Sequence, residues 1–291
     1  IKTTQCPRGE MVDTKDLKSL PFGSASSSLA EGTIFMKDKF HFAFDKNDKA
    51  QKFKKFILKN HKQYEPKKAD TIIIAGGDGF MLNNLKKYYM YEKPFYGINC
   101  GTFGFLLNKL NFKNFIKNVK KAKKITINPL TIISINKKKI KKEIIAINEI
   151  SLLRQSKQAA SLEVKISGKK IVKKLIGDGI LISTPAGSTA YNLSVHGPIL
   201  SLNSEKLAIT PISPFRPRRW KGRIVSNKSI VEIKNLDYTK RPISAVADNI
   251  EFLNIKELSV KANKNIKIIL LYDKNRSLFN KIKSEQLKIK K

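Results

Sequence analysis

A short apolar segment that runs into a cluster of glycines constrains the fold of this chain more than any other feature. Residues 71–75 are mostly apolar and β-branched, and Gly76, Gly77, Asp78 and Gly79 follow at once. Such a run predicts a buried parallel strand, and the spacing of residues 80–91 predicts a helix after the turn. Glycines at a strand-to-helix turn let backbone N–H groups approach a phosphate closely. The pattern therefore predicts an α/β domain with an anion site at this turn.

Asp78 stands in the middle of the glycine turn, where its negative charge would repel a phosphate. Two chemical roles would justify a carboxylate there. It could hold a metal ion, or it could accept the proton of a hydroxyl group that attacks the phosphate. The alternative is a tight turn in which Asp78 only caps the helix.

Predicted strands and helices alternate over the first third of the chain. The strands are expected at 39–44, 71–75 and 95–98, and the helices at 48–62, 80–91 and 112–122. This alternation predicts a parallel sheet covered on both faces, with ligands outside the carboxyl ends of the strands. A second glycine turn at 97–104 should lie beside the first. Neither turn has the spacing of a dinucleotide fingerprint or of a P-loop.

Beyond about residue 125 the pattern changes to short β-branched runs without long helices between them. Turn signals such as Ser167-Gly168 separate these runs, which predicts a second, mostly-β antiparallel domain. We expect residues 1–35 to be a disordered extension, because they have turn composition, lack periodicity and precede Met36. The predicted boundaries are 36–125 for an α/β nucleotide-binding domain, 126–265 for the β-rich domain and 266–291 for a segment returning to the first domain.

Composition narrows the class of protein. Cys6 and Cys100 are the only cysteines in 291 residues, which excludes a disulfide framework and fits a reducing compartment. No apolar run approaches the length of a membrane span, and the N-terminus lacks the order of a signal peptide. These features predict a cytoplasmic protein without a membrane partner.

The net charge of +35 results from 58 Lys and Arg against 23 Asp and Glu. Such a charge can indicate a protein that binds nucleic acid. The lysines, however, are spread over the whole chain without interleaved aromatic residues, and no helix-turn-helix or zinc spacing is present. We therefore expect a lysine-rich solvated surface and no specific nucleic-acid partner. A positive field also helps to collect anionic nucleotides.

Two stretches of the second domain carry further candidate residues. Asn148 and Glu149 are expected at the end of an apolar strand, where they could clasp two sugar hydroxyls or a carboxamide, or simply cap the strand. Residues 177–194 place small and hydroxyl side chains after another strand, which would suit the floor of a close-fitting pocket. Tyr191 would there supply an aromatic wall for a base, or else be an ordinary core tyrosine.

With these stretches in order, the chain resembles the NAD kinase family, in particular its α-proteobacterial type. The resemblance extends from about Met36 to about residue 270. The Gly-Gly-Asp-Gly motif is shared with diacylglycerol and sphingosine kinases, whereas the Thr-Pro-Ala-Gly-Ser-Thr-Ala-Tyr run is not. The matching segments are 76–82, 101–106, 148–149, 178–191 and 212–220.

The resemblance implies a homodimeric or homotetrameric enzyme that phosphorylates the 2′-hydroxyl of the adenosine ribose of NAD, with ATP as donor and Mg²⁺ held through the nucleotide phosphates. It implies an N-terminal α/β domain like that of NAD and diacylglycerol kinases, followed by a mostly-β domain. Asp78 falls at the position of the general base. The substrate-binding positions it implies are Gly76, Gly77, Gly79, Asn148, Glu149, Asp178, Ala186, Thr189, Ala190, Tyr191, Asn192, Leu193 and Ser194.

Three departures from the family pattern leave the catalytic carboxylate untouched but bear on substrate preference. Ala186 replaces a Ser or Thr of many relatives, Cys100 stands at an often basic or polar position, and Asp248-Asn249 replaces Asp-Gly. Polyphosphate as donor and NADH as acceptor stay open. So do two other functions: a lipid or other kinase that shares only the Gly-Gly-Asp-Gly site, and a basic nucleic-acid-binding protein on a kinase fold.

Overall fold

The computed structural model describes residues 38–102, 104–136 and 138–274. The predicted extension 1–35 and the end of the predicted C-terminal segment, residues 275–291, lie outside the described residues. Within the described ranges, none of the helices combines the length and apolarity needed to span a bilayer.

Three six-stranded sheets and a few short helices make up the described chain. The helices are α1 (Asp48–Ile57), α2 (Asp78–Tyr88), α3 (Phe115–Lys121) and α4 (Tyr191–Ser194), with 3₁₀ turns at Pro66–Lys68, Tyr89–Tyr91 and Gly187–Thr189. The strands are β1 (Phe40–Phe44), β2 (Thr71–Gly76), β3 (Phe95–Asn99), β4 (Asn108–Lys109), β5 (Lys123–Ile127), β6 (Leu130–Asn136), β7 (Lys141–Ala146), β8 (Glu149–Arg154), β9 (Ala160–Ile166), β10 (Lys169–Gly177), β11 (Gly179–Ser183), β12 (Lys206–Ile212), β13 (Arg223–Ser226), β14 (Val231–Asn235), β15 (Ile243–Ala247), β16 (Ile250–Phe252), β17 (Ile255–Ala262) and β18 (Ile268–Tyr272).

The first sheet has the predicted parallel centre. Strands β1, β2 and β3 pair in parallel in that order, and β4 pairs in parallel with β3. Near the end of the described chain, β18 pairs in parallel with β3 and antiparallel with β5, so that the chain returns to this sheet. Every residue of β2 is buried, as expected for a strand covered on both faces. The carboxyl ends of β2 and β3 therefore bring the two glycine turns side by side.

The second domain consists of two antiparallel sheets, in the orders β10-β9-β14-β17-β6-β7 and β13-β12-β11-β8-β15-β16. Their apolar faces enclose one core of 22 buried residues, drawn from strands of both sheets. The Ser167-Gly168 signal forms a two-residue hairpin between β9 and β10, with both residues at positive φ. This geometry matches the right-handed twist of the strands it joins. The fold class predicted from the sequence is confirmed.

A second core joins the two domains directly. It packs Met81 and Leu106 of the first domain against Ile147 and Ala186 of the second. The segments around the glycine turns and the segments around Asn148 and Ala186 are thus parts of one buried cluster. Ile147 is 1% exposed and Met81 is fully buried.

Several predicted boundaries were wrong. Helix α1 ends at Ile57 rather than near residue 62, because Leu58 is exposed and no later residue extends the buried face. Helix α3 is likewise shorter than 112–122. Helix α2 begins two residues earlier than expected, at Asp78, and ends at Tyr88 in a 3₁₀ turn closed by the left-handed Glu92.

Candidate active site

Asp78 connects the two glycine turns. It is the first residue of α2, and the N-cap residue, Gly77, has no side chain with which to cap the helix. Its carboxylate instead accepts the backbone N–H of Phe105 at 3.0 Å and that of Leu106 at 3.1 Å. The proposal that Asp78 merely caps the helix is therefore wrong. Two of about four lone-pair positions of the carboxylate are used, which leaves acceptor capacity for a ligand.

The glycines of the first turn differ in the space around them. A Cβ atom on Gly76 would lie 2.6 Å from the Phe80 ring, so the absence of a side chain there serves packing. A Cβ atom on Gly77 or on Gly79 would meet no protein atom within 4 Å. Both positions open onto free space at the N-terminus of α2, where backbone N–H groups attract anions.

The peptide that carries Asn148 packs against the start of the small-residue run. The Asn148 carbonyl accepts the N–H of Thr184 at 2.9 Å, and the Thr184 hydroxyl donates to the Ile147 carbonyl at 2.7 Å. Gly187 lies so close that a Cβ atom there would come 2.2 Å from the Asn148 carbonyl oxygen. The fold thus brings these two predicted site segments into contact.

Asn148 directly precedes β8, and Glu149 is the first residue of that strand. The sequence placed them at the end of an apolar strand; β7 ends two residues before Asn148, at Ala146, and Glu149 begins the apolar strand β8. The Oδ1 atom of Asn148 and the Oε2 atom of Glu149 are buried without a hydrogen-bond partner. Buried polar atoms are normally paired, so these two oxygens are candidates for contacts with a ligand.

Burial raises the pKa of the Glu149 carboxyl to about 8, and the nearby negative charge of Asp248 adds to this effect. The side chain of Asp248 is fully buried. Its carboxylate accepts the backbone N–H groups of Ile147 at 2.8 Å, Asn148 at 2.8 Å and Glu149 at 3.3 Å. At neutral pH the Glu149 carboxyl is therefore protonated and able to donate a hydrogen bond as well as accept one.

Asn192 is a scaffold residue of the small-residue run. It is fully buried. Its amide donates to the Ser188 and Pro198 carbonyls at 3.3 and 2.9 Å, and it accepts from the Thr210 hydroxyl at 2.7 Å. These bonds use nearly all of its capacity. The side chain of Asn192 therefore holds the run in shape.

The other residues of the run differ in how far a ligand can reach them. Ala186 is buried in the core shared by the two domains. Thr189 is 6% exposed, Ala190, Tyr191 and Leu193 are half-buried, and Ser194 is exposed. Tyr191 belongs to none of the buried clusters, and among the described residues its side chain has neither a hydrogen bond nor a ring contact. The alternative that Tyr191 is a core residue is not supported by this environment.

Asp178 lies away from the other candidates. It precedes β11 at the end where Gly179 pairs with Leu153, whereas Glu149 pairs with Ser183 at the opposite end. Five residues of strand separate the two ends, which is roughly 17 Å. The Asp178 carboxylate forms a half-exposed ion pair with Arg154, with 2.6 Å between Nε and Oδ1. The structure therefore does not bring Asp178 together with Asn148 and Glu149.

Two residues that sequence reasoning did not assign to the site contact it closely. Asp248 was noted only for its unusual neighbour Asn249, and Lys86 was one of many lysines. Lys86 extends from α2, and its ammonium group lies 2.8 Å from the Asp248 carboxylate. The one sequence signal for Lys86 is its place on the helix that Asp78 begins.

The described residues contain no group of three or more His, Cys, Asp or Glu side chains suited to hold a metal ion. Asp78 offers one carboxylate beside backbone N–H donors. This donor set fits a divalent ion that arrives already bound to the phosphates of a nucleotide.

The chain matches two models of known protein families. The ATP-NAD kinase N-terminal domain matches residues 27–124, so the match begins ahead of Met36. The ATP-NAD kinase C-terminal domain matches residues 147–273. The two matches contain all of the candidate residues described above.

Curated relatives of high similarity include NAD kinases from α-proteobacteria. The NAD kinase of Zymomonas mobilis is 42% identical over 243 residues, which cover 83% of this chain and 94% of the relative. The NAD kinase of Rickettsia bellii is 39% identical over 249 residues, which cover 86% of this chain and 98% of the relative.

Solved structures with the same fold include two kinases. Yeast NADH kinase in complex with NADH superposes with a TM-score of 0.65 at 26% identity, over 74% of this chain and 65% of the yeast chain. An NAD kinase from Archaeoglobus fulgidus in complex with ATP superposes with a TM-score of 0.69 at 22% identity, over 84% and 99% of the two chains. Together with the sequence matches, these findings show that the chain belongs to the NAD kinase family, the enzymes that phosphorylate NAD.

Proposed function

We propose that Asp78 is the general base in a transfer of the γ-phosphate of ATP to the 2′-hydroxyl of the adenosine ribose of NAD, which yields NADP. A ribose hydroxyl is a weak nucleophile, and a carboxylate within hydrogen-bond reach can take its proton as the new phosphorus–oxygen bond forms. The leaving group is ADP, and the proton from the hydroxyl passes to the Asp78 carboxylate.

The observation that carries this proposal is the position of the Asp78 carboxylate between two glycine turns. The N–H groups of Phe105 and Leu106 fix its orientation without using its full acceptor capacity. Phosphoryl transfer depends mainly on positioning and on neutralising charge. A base held by backbone groups at the carboxyl edge of the sheet meets the positioning requirement.

The open space at Gly77 and Gly79 supports a phosphate site beside that base. Backbone N–H groups at the start of α2 would contact the phosphates of ATP. The magnesium ion that accompanies ATP supplies further neutralisation of the phosphate charge when bound. Gly76 allows the Phe80 ring to pack closely against the backbone of the turn.

The dinucleotide would contact the second domain. The unpartnered oxygens of Asn148 and Glu149 suit hydroxyl or amide groups of NAD. The half-buried ring of Tyr191 would contact a base of the dinucleotide. Thr189, Ala190, Leu193 and Ser194 extend the same wall, while Ala186 and Asn192 support it from within. The NAD contact that the family resemblance implies for Asp178 stays a prediction, since that residue lies at the far end of β11.

Several features stay predictions from the sequence. These are a homodimeric or homotetrameric assembly, a cytoplasmic location, the dependence on a divalent metal and the lack of a specific nucleic-acid partner. The two alternative functions, a lipid-type kinase and a nucleic-acid-binding protein, are not favoured by the sequence matches.

The test is to incubate the purified chain with ATP, Mg²⁺ and NAD and to follow NADP with an NADP-specific dehydrogenase. We expect steady NADP formation that requires both nucleotides. Phosphorylation of diacylglycerol without NADP formation would instead indicate a lipid kinase. Tight, steeply salt-dependent binding of RNA or DNA without turnover would indicate the nucleic-acid-binding alternative.

A further inference from the structure

Lys86 forms a buried ion pair that joins the two domains. Its Nζ atom lies 2.8 Å from Oδ2 of Asp248, and the two side chains are 15% and 0% exposed. The same ammonium group donates to Oδ1 of Asn249 at 3.1 Å and approaches the Ala247 carbonyl at 3.5 Å. Among the ion pairs of the described residues, this is the one that connects the first domain to the second.

The Asp248 end of the pair holds the peptide that carries two candidate NAD contacts. Its carboxylate accepts three successive backbone N–H groups, from Ile147 to Glu149. In return the Asp248 N–H donates to the Glu149 carbonyl at 3.0 Å. Asp248 adopts a left-handed backbone conformation, with φ 53°, at the first position of a two-residue hairpin. These contacts over-determine the conformation of residues 147–149.

The Lys86 end of the pair belongs to the helix that Asp78 begins. Eight residues separate Asp78 from Lys86, which corresponds to roughly 12 Å along α2. The helix is thus held near both ends, by Asp78 on the second glycine turn and by Lys86 on Asp248. A further hydrogen bond, between the side chains of Asn83 and Asn249 at 3.3 Å, also joins α2 to the second domain.

A buried carboxylate without a counterion is costly, because removal of one partner of a buried pair leaves an uncompensated charge. Asp248 has Lys86 as its only ionic partner among the described ion pairs. Removal of the ammonium group would therefore disturb both α2 and the peptide 147–149. The two groups whose separation would change are the proposed base and the proposed NAD contacts.

We propose that Lys86 is a positioning residue for phosphoryl transfer. Its ion pair with Asp248 sets the distance between the Asp78 carboxylate and the substrate hydroxyl held at Asn148 and Glu149. This inference rests on the proposed function, since it assigns Lys86 a role in the same reaction. Lys86 itself contacts neither reacting group.

The first test is the substitution Lys86→Met, which keeps an unbranched apolar side chain and removes the charge. We expect kcat to fall roughly 10- to 100-fold, because small misplacements of reacting groups have effects of this size. The KM values for NAD and ATP should rise by a smaller factor than kcat falls, because each set of binding groups keeps its own local contacts and mainly the distance between the two sets changes. The matched control is Lys87→Met on the exposed neighbouring lysine, which should keep wild-type kcat.

The second test measures backbone amide exchange, which does not depend on turnover. In Lys86→Met we expect faster exchange at Ile147, Asn148 and Glu149, and at Phe105 and Leu106, with other regions unchanged. Unchanged exchange at these five amides would overturn the inference whatever the activity. Failure of the wild-type chain to form NADP would overturn the proposed function instead, so that the two failures are distinguishable.

A third variant covers the case that Lys86→Met does not fold. Lys86→Arg keeps the positive charge, but its planar guanidinium cannot reproduce all three contacts of the ammonium group. We expect an unchanged melting temperature within a few degrees and a kcat at least threefold lower. Wild-type kcat in Lys86→Arg, together with an unfolded Lys86→Met, would mean that the pair serves folding alone and would refute the positioning role.

Discussion

Glu149 and Asp248 are joined by two hydrogen bonds, each donated by the backbone N–H of one residue to an oxygen of the other. The Glu149 N–H donates to the Asp248 carboxylate at 3.3 Å, and the Asp248 N–H donates to the Glu149 carbonyl at 3.0 Å. Lys86 compensates the charge of Asp248. The Glu149 carboxyl has no such partner, and burial with the neighbouring charge raises its pKa to about 8. The negative charge of Asp248 thus favours the protonated form of the Glu149 carboxyl.

The raised pKa of Glu149 predicts a pH dependence of stability. Below about pH 4.5 the group is protonated in both the folded and the unfolded chain. Between about pH 4.5 and 8 unfolding releases its proton, so the free energy of unfolding falls as the pH rises. Glu149→Gln should remove this slope, as measured by urea unfolding at several pH values. The control is the exposed Glu143→Gln, and equal slopes in wild type and Glu149→Gln would contradict the prediction.

The same titration should affect substrate binding. A protonated Glu149 can donate a hydrogen bond to NAD, which the ionised form cannot. We expect kcat/KM for NAD to decrease above about pH 8 in the wild type. Glutamine resembles the protonated acid, so Glu149→Gln should keep most of the affinity and lose this alkaline decrease. A pH–rate profile for both proteins checks the prediction, and a shared alkaline limb would assign it to another group.

Asp78→Asn should remove the base while it preserves the shape of the side chain. We expect kcat to fall roughly 100-fold or more, the size of effect seen when a general base is lost. In asparagine, the NH₂ group replaces one of the two carboxylate oxygens that accept the N–H groups of Phe105 and Leu106. Two donors would then face each other, and one of the two hydrogen bonds would be lost. Stability should therefore fall by about 1–3 kcal/mol. Steady-state kinetics and urea unfolding measure the two effects separately.

Asp70→Asn is the matched control for Asp78. Asp70 precedes the same strand at its other end and accepts one backbone N–H, from Lys39 at 2.9 Å. It is exposed and remote from the glycine turns, so its substitution should leave kcat unchanged. Activity of Asp78→Asn within a few-fold of wild type would exclude the role of general base.

The parts of the site that follow from local rules were predictable from the sequence. Strand β2, the glycine turn and α2 occupy fewer than 20 consecutive residues, and the parallel order places the next turn beside the first. The position of Asp178 was not predictable, because it depends on the register of β8 against β11. Local patterns set which residues start or end a strand, but pairing decides which ends meet.

The contact between Lys86 and Asp248 could not be predicted from the sequence either. The two residues belong to different domains, and lysine is the most ordinary residue of this chain. Only the packing of α2 on the hairpin of β15 and β16 selects this lysine from the others. Among the ion pairs of the described residues, only that of Lys86 with Asp248 is largely buried on both sides, and the sequence does not distinguish this lysine from the many on the surface.

Tyr191 is expected to contact the dinucleotide through its ring. Loss of stacking on a base would cost about 1–3 kcal/mol, so Tyr191→Ala should raise the KM for NAD between roughly 5- and 150-fold. Tyr191→Phe keeps the ring, and its KM should stay close to that of the wild type. If Tyr191→Ala changes only the melting temperature and leaves the KM for NAD unaltered, Tyr191 serves packing alone.

Gly79→Ala tests the phosphate site without disturbing the fold. Gly79 is exposed in the first turn of α2, and an added Cβ atom would meet no protein atom within 4 Å. Alanine is the better helix former by roughly 0.5–1 kcal/mol, so stability should stay equal or rise. The methyl group would occupy space that the ATP phosphates need, and we expect kcat/KM for ATP to fall at least about tenfold.

Gly187→Ala should show the opposite pattern and serves as the contrast to Gly79→Ala. Its Cβ atom would lie 2.2 Å from the carbonyl oxygen of Asn148, a backbone atom that cannot move aside cheaply. We therefore expect a lower melting temperature together with a raised KM for NAD, because the Asn148 peptide must shift. Thermal unfolding and steady-state kinetics of the two variants decide the matter. If Gly79→Ala keeps wild-type kcat/KM for ATP, the phosphates do not bind at the start of α2, and the anion site must lie elsewhere.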